Sequence, residues 1–403
     1  MIPYGRQDIN RADIDAVVEV LGSDFLTQGP AVPAFENTVA RHCGVEYAVA
    51  VSSATGALHI ACLALGVGPG DVVWTSPITF VASANCALYC GAEVDFVDID
   101  PLTFNISTSA LRTKLERAAA AGLPLPKVVI PVHLAGASCD MEEIAALGKE
   151  FGFSIIEDAS HAIGGKFQGI PVGSCLHSDI TVFSFHPVKI ITTGEGGMAL
   201  TRSPELHAKL ARLRSHGITR DPSEFIGCSD FQSSGFSLHV SEAGPWYYEQ
   251  IDLGFNYRIT DIQAALGLSQ MQRLDTFVGR RNVLAERYNA AFEGHPIGIQ
   301  QVPASVYSAR HLYIIRVDSR HHLRIFEALR EQGIGVNLHY IPVYRQPHYR
   351  RLLPDFAPLP ASEQYYQEAI SLPLYSALTE EQQNEVIRKV IHSLPASQSR
   401  LSP

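Results

Sequence analysis

The chain has 403 residues, long enough for a large core and usually for two domains. With 46% hydrophobic and 18% charged residues it is not a disordered chain. Its net charge of −10, from 41 acidic against 31 basic residues, argues against nonspecific nucleic-acid binding, yet a local pocket for an anionic small molecule remains compatible with it.

The opening stretch Met1 to Asp8 has neither a basic nor an apolar leader region, and no apolar run approaches about 20 residues. Seven cysteines, at positions 43, 62, 86, 90, 139, 175 and 228, are scattered and odd in number. Reduced, mostly buried thiols are expected, in a cytoplasmic protein without a metal site, membrane span or nucleic-acid partner.

Ile14, Val17, Val18 and Leu21 recur at helical spacing and predict a helix from Arg11 to Leu21. Phe25 to Pro30 reads as a loop, and its polar Thr27 and Gln28 suit a ligand contact or a plain turn equally. Tyr47 to Val51 reads as a short buried strand. Ser52 to Gly56 then forms a small-residue turn before a helix from Ala57 to about Leu65. Strand, turn and helix start make an anion seat, because unpaired N–H groups and the positive dipole end meet there. The same serines and threonine also serve as ordinary helix caps. Walker and Rossmann glycine spacings are absent.

Further strands are predicted at Val72–Ser76, Glu93–Val97, Lys127–Val132, Ser154–Ala159 and Asp179–Phe185. Helices fall between them, ending at Tyr89 or spanning Ser109–Ala121 and Met141–Phe151. This alternation predicts an α/β fold with a mainly parallel, helix-covered sheet. Ligands of such sheets sit beyond the carboxyl ends of the strands. The Ser52–Gly56 turn, Asp158 and Lys189 all lie at strand ends, so one pocket is expected to collect them.

Lys189 lies between the break at Pro187 and the bend Gly194-Glu-Gly-Gly197. Most lysines are solvated. A lysine turned into a pocket is desolvated, its pKa falls, and it becomes fit for Schiff-base chemistry. Asp158 reads as a helix cap, a surface acid or a buried carboxylate. In the last case it needs a partner charge, which a protonated ring nitrogen would supply. His161 suits a satisfied core position or a contact to the same ligand.

Gly217 to Gly244 is polar and aperiodic, compatible with a lid, an oligomer contact or an idle loop. Amphipathic helices follow from Thr260 to Leu274 and from Asp275 to about Phe292. Then come a strand at Leu312–Val317, a helix at His321–Glu331, an extended run at Gly335–Tyr340 and two more helices. The last spans Glu380 to about His392, with Thr379 and Gln382 as a capping box. The expected division is a large domain over 1–255, a small C-terminal α+β domain over 256–392, and a loose tail over 393–403.

The run Ser184-Phe-His-Pro-Val-Lys189, with Gly194-Glu-Gly-Gly197 and Glu157-Asp-Ala-Ser-His161, resembles the DegT/DnrJ/EryC1/StrS sugar aminotransferases over roughly residues 3–392. Arg214-Ser-His-Gly-Ile218, Gly254-Phe-Asn-Tyr-Arg258 and His339-Tyr-Ile-Pro-Val-Tyr344 are similar, within that family, to the subgroup making UDP-4-amino-4,6-dideoxy-N-acetyl-β-L-altrosamine for pseudaminic acid. The resemblance implies the pyridoxal-phosphate-dependent transferase fold type I, like that of aspartate aminotransferase. It implies Lys189 as the Schiff-base lysine, Asp158 as partner of the ring nitrogen and His161 as contact of the ring hydroxyl. Phe80 would cover the ring, and Ala54, Thr55 and Ser184 would hold the phosphate. Asn256 would reach the phosphate of a neighbouring subunit, which implies a homodimer with a shared active site.

By the same resemblance Tyr4, Asp24, Phe25, Leu26, Thr27, His311, Leu312, Tyr313 and Ile314 belong to substrate-contacting segments. The implied donor is L-glutamate and the implied acceptor a UDP-linked 4-keto-6-deoxy amino sugar, aminated at C4. Three alternatives remain at this point. One is a related aminotransferase for a UDP-D-sugar or dTDP-sugar. Another is a pyridoxal-phosphate-dependent sugar 3-dehydratase, in which a histidine replaces the lysine. The third is a binding protein on the same scaffold, which the presence of both Lys189 and Asp158 disfavours.

Overall fold

Short runs of Val, Ile and Ala build the centre of the molecule, because strands covered by helices on both faces must be apolar on both. A computed structural model describes residues 1–226 and 245–395. Seven strands form the main sheet: β1 (Tyr47–Val51), β2 (Val72–Thr75), β3 (Glu93–Phe96), β4 (Val128–Ile130), β5 (Ser154–Asp158), β6 (Ile180–Ser184) and β7 (Gly197–Thr201). Their order is β1-β7-β6-β5-β4-β2-β3. Neighbours are parallel except at β7, which runs antiparallel to both β1 and β6.

The helices, in chain order, are α1 (Arg11–Leu21), α2 (Ala31–Cys43), α3 (Ala54–Ala64), α4 (Ala82–Tyr89), α5 (Thr108–Ala120), α6 (Met141–Phe151) and α7 (Pro204–Arg214). After them come α8 (Asp261–Met271), α9 (Leu274–Phe292), α10 (His322–Glu331) and α11 (Glu380–Ser393), with two short helices at Pro347–Leu352 and Pro360–Glu368. Alternate strand residues face opposite layers, as the two-residue period requires. Val49, Val51 and Val182 pack with α3, α4 and α7, while Ala48, Ala50 and Phe183 pack with α2 and α8. A second antiparallel sheet, β8 (Gly298–Ile299), β9 (Tyr313–Arg316) and β10 (Ala369–Leu372), is covered by α9, α10 and α11. Ile2 inserts into that same cluster, so the N-terminal arm crosses to the C-terminal part.

Several elements differ from their expected form. Helix α3 starts at Ala54 rather than Ala57, because the Ser53 hydroxyl accepts the Gly56 N–H and caps it early. The stretch taken as a turn is thus the first helical turn. Strand β7 and helix α7 lie in a region where no element is predicted from the sequence. The run Gly335–Tyr340 is not a sheet strand. It makes one bridge, Asn337 to Ser371, and the strand beside β9 comes instead from Ala369–Leu372. The Gly217–Gly244 segment begins as a paired strand, with Ile218–Thr219 against Glu249–Gln250, and its residues 227–244 lie outside the described set. Of the 393–403 tail, Ser393 closes α11 and residues 396–403 lie outside the described set.

Helix α1 has the predicted span, but its apolar stripe does not face the core: Ile14, Val18 and Leu21 are exposed. What ties it down is Asp13, fully buried and accepting hydrogen bonds from Ser269, Gln270 and Arg273. A buried carboxylate needs such partners to be tolerated.

Candidate active site

The carboxyl ends of β1, β5 and β6 open into one cavity of about 480 Å³. Ala54 and Thr55 line it from the start of α3, Asp158 from the end of β5 and Ser184 from the end of β6. Lys189 lines it from the turn before β7, where its N–H donates to the His186 carbonyl at 2.9 Å. Tyr4, Phe80, His161 and His311 complete the set of expected residues found there.

At the α3 end, Ser53 Oγ takes the Gly56 N–H and Ser53 C=O takes the Ala57 N–H. The first-turn amides of Ala54 and Thr55 have no carbonyl one turn back to receive them. They are the donors left for an anion, at the positive end of the helix dipole. Strand β7 presses close behind: a Cβ on Gly197 would lie 2.4 Å from the Ala54 nitrogen. Only glycine fits there.

Lys189 is partly buried. Loss of hydration pushes its ammonium down to about 8 from an ordinary 10.5, with the Asp158 charge opposing. Asp158 itself is 5% exposed. Its Oδ2 accepts from Ser83 Oγ at 2.6 Å and its Oδ1 from the Ser160 N–H at 3.1 Å.

Three buried histidines also line the cavity. His161 Nδ1 accepts from the Ala135 N–H at 3.3 Å, which places the proton of the neutral ring on Nε2. Nε2 lies 3.2 Å from the Tyr340 hydroxyl, so His161 donates to Tyr340. The His161 and His311 rings are 4.4 Å apart. His339 Nδ1 is 2.8 Å from Ser371 Oγ, and its ring lies 5.2 Å from that of Tyr4. Burial lowers all three, with the Lys189 charge adding to it: His161 and His311 fall well below 6.5 and His339 to about 4. His311 Nδ1 is buried without a hydrogen-bond partner.

Phe80 stands at the cavity rim, 60% exposed, with its ring 6.3 Å from that of Tyr340. Other expected residues lie elsewhere. Asp24, Phe25, Leu26 and Thr27 are exposed and outside the lining. Leu312, Tyr313 and Ile314 are buried in apolar clusters, and the Tyr313 hydroxyl donates to Asn289 at 2.7 Å. Asn256 is exposed, bridges to Ser215 and does not line the cavity of its own chain.

Cavity residues that the sequence reading did not single out include Ser53, Thr79, His339 and Tyr340. The Ser52-Ser53 pair before an apolar run was a readable cap signal. Nothing in the sequence links Tyr340 to His161, which is 179 residues away.

The sequence pattern of the DegT/DnrJ/EryC1/StrS aminotransferase family matches residues 7–391. The chain belongs to that family. Spore coat polysaccharide biosynthesis protein SpsC of Bacillus subtilis is 37% identical, covering 96% of each chain. The UDP-4-amino-4,6-dideoxy-N-acetyl-β-L-altrosamine transaminase of Campylobacter jejuni is 35% identical over 94% of this chain and 93% of its own. Among solved structures, Helicobacter pylori PseC, an aminotransferase involved in pseudaminic acid biosynthesis, superposes with a TM-score of 0.86 at 31% identity. It covers 97% of this chain and 98% of its own. The Streptococcus pneumoniae sugar aminotransferase Spr1654 is known in a pyridoxal-phosphate form (TM-score 0.84, 29% identity, covering 97% and 98% of the two chains) and in a pyridoxamine-phosphate form.

The fold is that of the pyridoxal-phosphate-dependent aminotransferases, with a mainly parallel central sheet. Pyridoxal phosphate is the family's cofactor, and the chain is a sugar aminotransferase. Among the described residues, no helix is long and apolar enough to cross a membrane. The six described cysteines are buried and unpaired.

Proposed function

We propose that this enzyme moves the amino group of L-glutamate to C4 of a UDP-linked 4-keto-6-deoxy-N-acetyl sugar, giving UDP-4-amino-4,6-dideoxy-N-acetyl-β-L-altrosamine in the cytoplasm. The observation carrying the chemistry is that one cavity joins a desolvated lysine, a buried carboxylate and the unpaired amides of a helix start. The Campylobacter relative and the Helicobacter structure support the choice of sugar.

The cavity fits pyridoxal phosphate. The Ala54 and Thr55 amides, with Ser184, would seat its phosphate, and Asp158 at the far wall would face its ring nitrogen. Phe80 would cover the ring, and His161 and Tyr340 would border its hydroxyl edge. When bound, the cofactor supplies an aldehyde to take up the amino group and a ring to accept the electron pair of the broken C–H bond. Asp158 would favour a positive charge on the ring nitrogen by pairing with it. Lys189 would hold the cofactor covalently and, once freed by the donor amine, would take the proton from the donor α-carbon and deliver one to the sugar C4. Its lowered pKa suits both tasks, since an amine near neutrality both takes up and releases a proton readily. Neutral His311 and His339 offer hydrogen bonds to substrate oxygens without adding charge.

Asn256 is assigned to a neighbouring copy's cavity, since it is exposed and lies outside its own. The active unit is then a homodimer. Tyr4, His311 and the exposed Asp24 to Thr27 are assigned to the sugar-nucleotide side, whereas Leu312, Tyr313 and Ile314 are buried in apolar clusters and only support His311 from behind. A second reading, amination of a different 4-keto sugar nucleotide, draws support from SpsC, which is slightly more identical and is named for spore coat polysaccharide. One experiment separates the two. Purified holoenzyme is given L-glutamate and a panel of UDP- and dTDP-linked 4-keto sugars, and the aminated product is identified by mass spectrometry and NMR. Preference for a D-configured or dTDP-linked sugar would overturn the first reading.

A further inference from the structure

We propose that Ser83 is a positioning residue for Asp158: its hydroxyl, itself held by Thr79, fixes the carboxylate that faces the cavity. The inference rests on the reading that Asp158 pairs with the cofactor's ring nitrogen.

Ser83 has no exposed surface and is absent from the cavity lining, so it acts only through Asp158. Its oxygen lies 2.6 Å from Asp158 Oδ2, within the range of a hydroxyl donating to a carboxylate. A hydroxyl has one proton, and a carboxylate only accepts. Ser83 therefore spends its proton on Asp158, and Thr79 Oγ1, 2.7 Å away, is the donor to Ser83. The Phe80 carbonyl, at 3.4 Å from Ser83 Oγ, is too distant to compete.

The two carboxylate oxygens are thus held from two different elements. Oδ2 is held from the first turn of α4, and Oδ1 by the Ser160 N–H just beyond β5. Two donors from separate elements fix the plane of the carboxylate and leave its remaining lone pairs to a cation in the cavity. The segment from Thr79 to Ser83 also carries Phe80, the aromatic at the cavity rim. One short stretch therefore sets both the cover of the ring and the aim of the acid beneath it.

The test uses holoenzyme and three variants, Ser83→Ala, Ser83→Thr and Asp158→Asn. The readouts are the pH midpoint of the visible absorbance of lysine-bound cofactor, the rate of the glutamate half-reaction, and the melting temperature. Ser83→Ala is expected to move the midpoint by about half a pH unit or more. It should slow the half-reaction by about tenfold, and Ser83→Thr should restore both. A Ser83→Ala enzyme that titrates and reacts like the parent, while Asp158→Asn does not, overturns the role of Ser83 and leaves that of Asp158 standing. An unmoved midpoint in Asp158→Asn overturns the role of Asp158 itself. Should Ser83→Ala lose only melting temperature, with Ser83→Thr no better, the hydroxyl is structural and the proposal fails.

Discussion

The role proposed for Lys189 starts from a free amine, and its surroundings decide how much free amine exists near neutral pH. With a pKa of about 8, close to a quarter of the side chain is unprotonated at pH 7.5, against about a thousandth for an ordinary lysine near 10.5. The sign follows from burial, which disfavours the charged form. Apoenzyme mixed with pyridoxal phosphate should therefore bind it covalently at a rate that rises with pH and levels off above about 8. Stopped-flow absorbance measures this directly, and a rate still climbing tenfold per pH unit beyond pH 9 would mean that the lysine is solvated. The meeting of Lys189 and Asp158 in one cavity was legible in the sequence, because Asp158 ends one strand and Lys189 follows another, and ligands of such sheets sit at those ends. Ser83 and Tyr340 were not. Their partners lie 75 and 179 residues away, and only packing brings them together.

At the scale of elements, the contact between β7 and the start of α3 shapes the helix end to which the phosphate is assigned. A methyl group on Gly197 would meet Ala54 N at 2.4 Å and the Ser53 carbonyl carbon at 2.5 Å, both backbone atoms that cannot swing aside. Gly197→Ala is expected to destabilise the fold by about 1–3 kcal/mol, the usual range for overpacking. It should also weaken the hold on pyridoxal phosphate, because the amides of Ala54 and Thr55 move with the helix. Thermal unfolding and a cofactor titration check the two effects separately, and a variant matching the parent in both would refute the close approach. The parallel strands and their helices were readable from alternating apolar runs. Strand β7 was hidden because Gly197 at its start reads as the end of a bend, and its place between β1 and β6 joins segments far apart in sequence. The start of α3 was missed for a related reason: Gly56 reads as a turn residue, yet the Ser53 cap holds it in a helix.

For the whole molecule, acid stability depends on Glu157, buried on β5 beside Asp158. Burial opposes its charge, but hydrogen bonds from His133, Ser178 and Thr181 hold the carboxyl below its ordinary 4.5. A lowered folded pKa gives stability that is present above 4.5 and lost as pH falls through the folded value. Between about pH 6 and pH 3 the melting temperature of the parent should fall more steeply than that of Glu157→Gln. Parallel curves would show that the carboxylate contributes no linkage. Among the described residues Phe25, Leu26, Trp246 and Leu253 are large apolar side chains left exposed, which is compatible with contact to another copy. Analytical ultracentrifugation should find a dimer, and full activity in a monomer would remove Asn256 from the site.

The most direct measurement is a single turnover without sugar. Holoenzyme mixed with L-glutamate alone should lose its visible absorbance and release 2-oxoglutarate in an amount equal to its active sites, then stop. Lys189→Ala should show neither the starting absorbance nor the release. Formation of 2-oxoglutarate by Lys189→Ala at the parental rate, or none from the parent, would contradict the role given to this lysine and to the cavity around it.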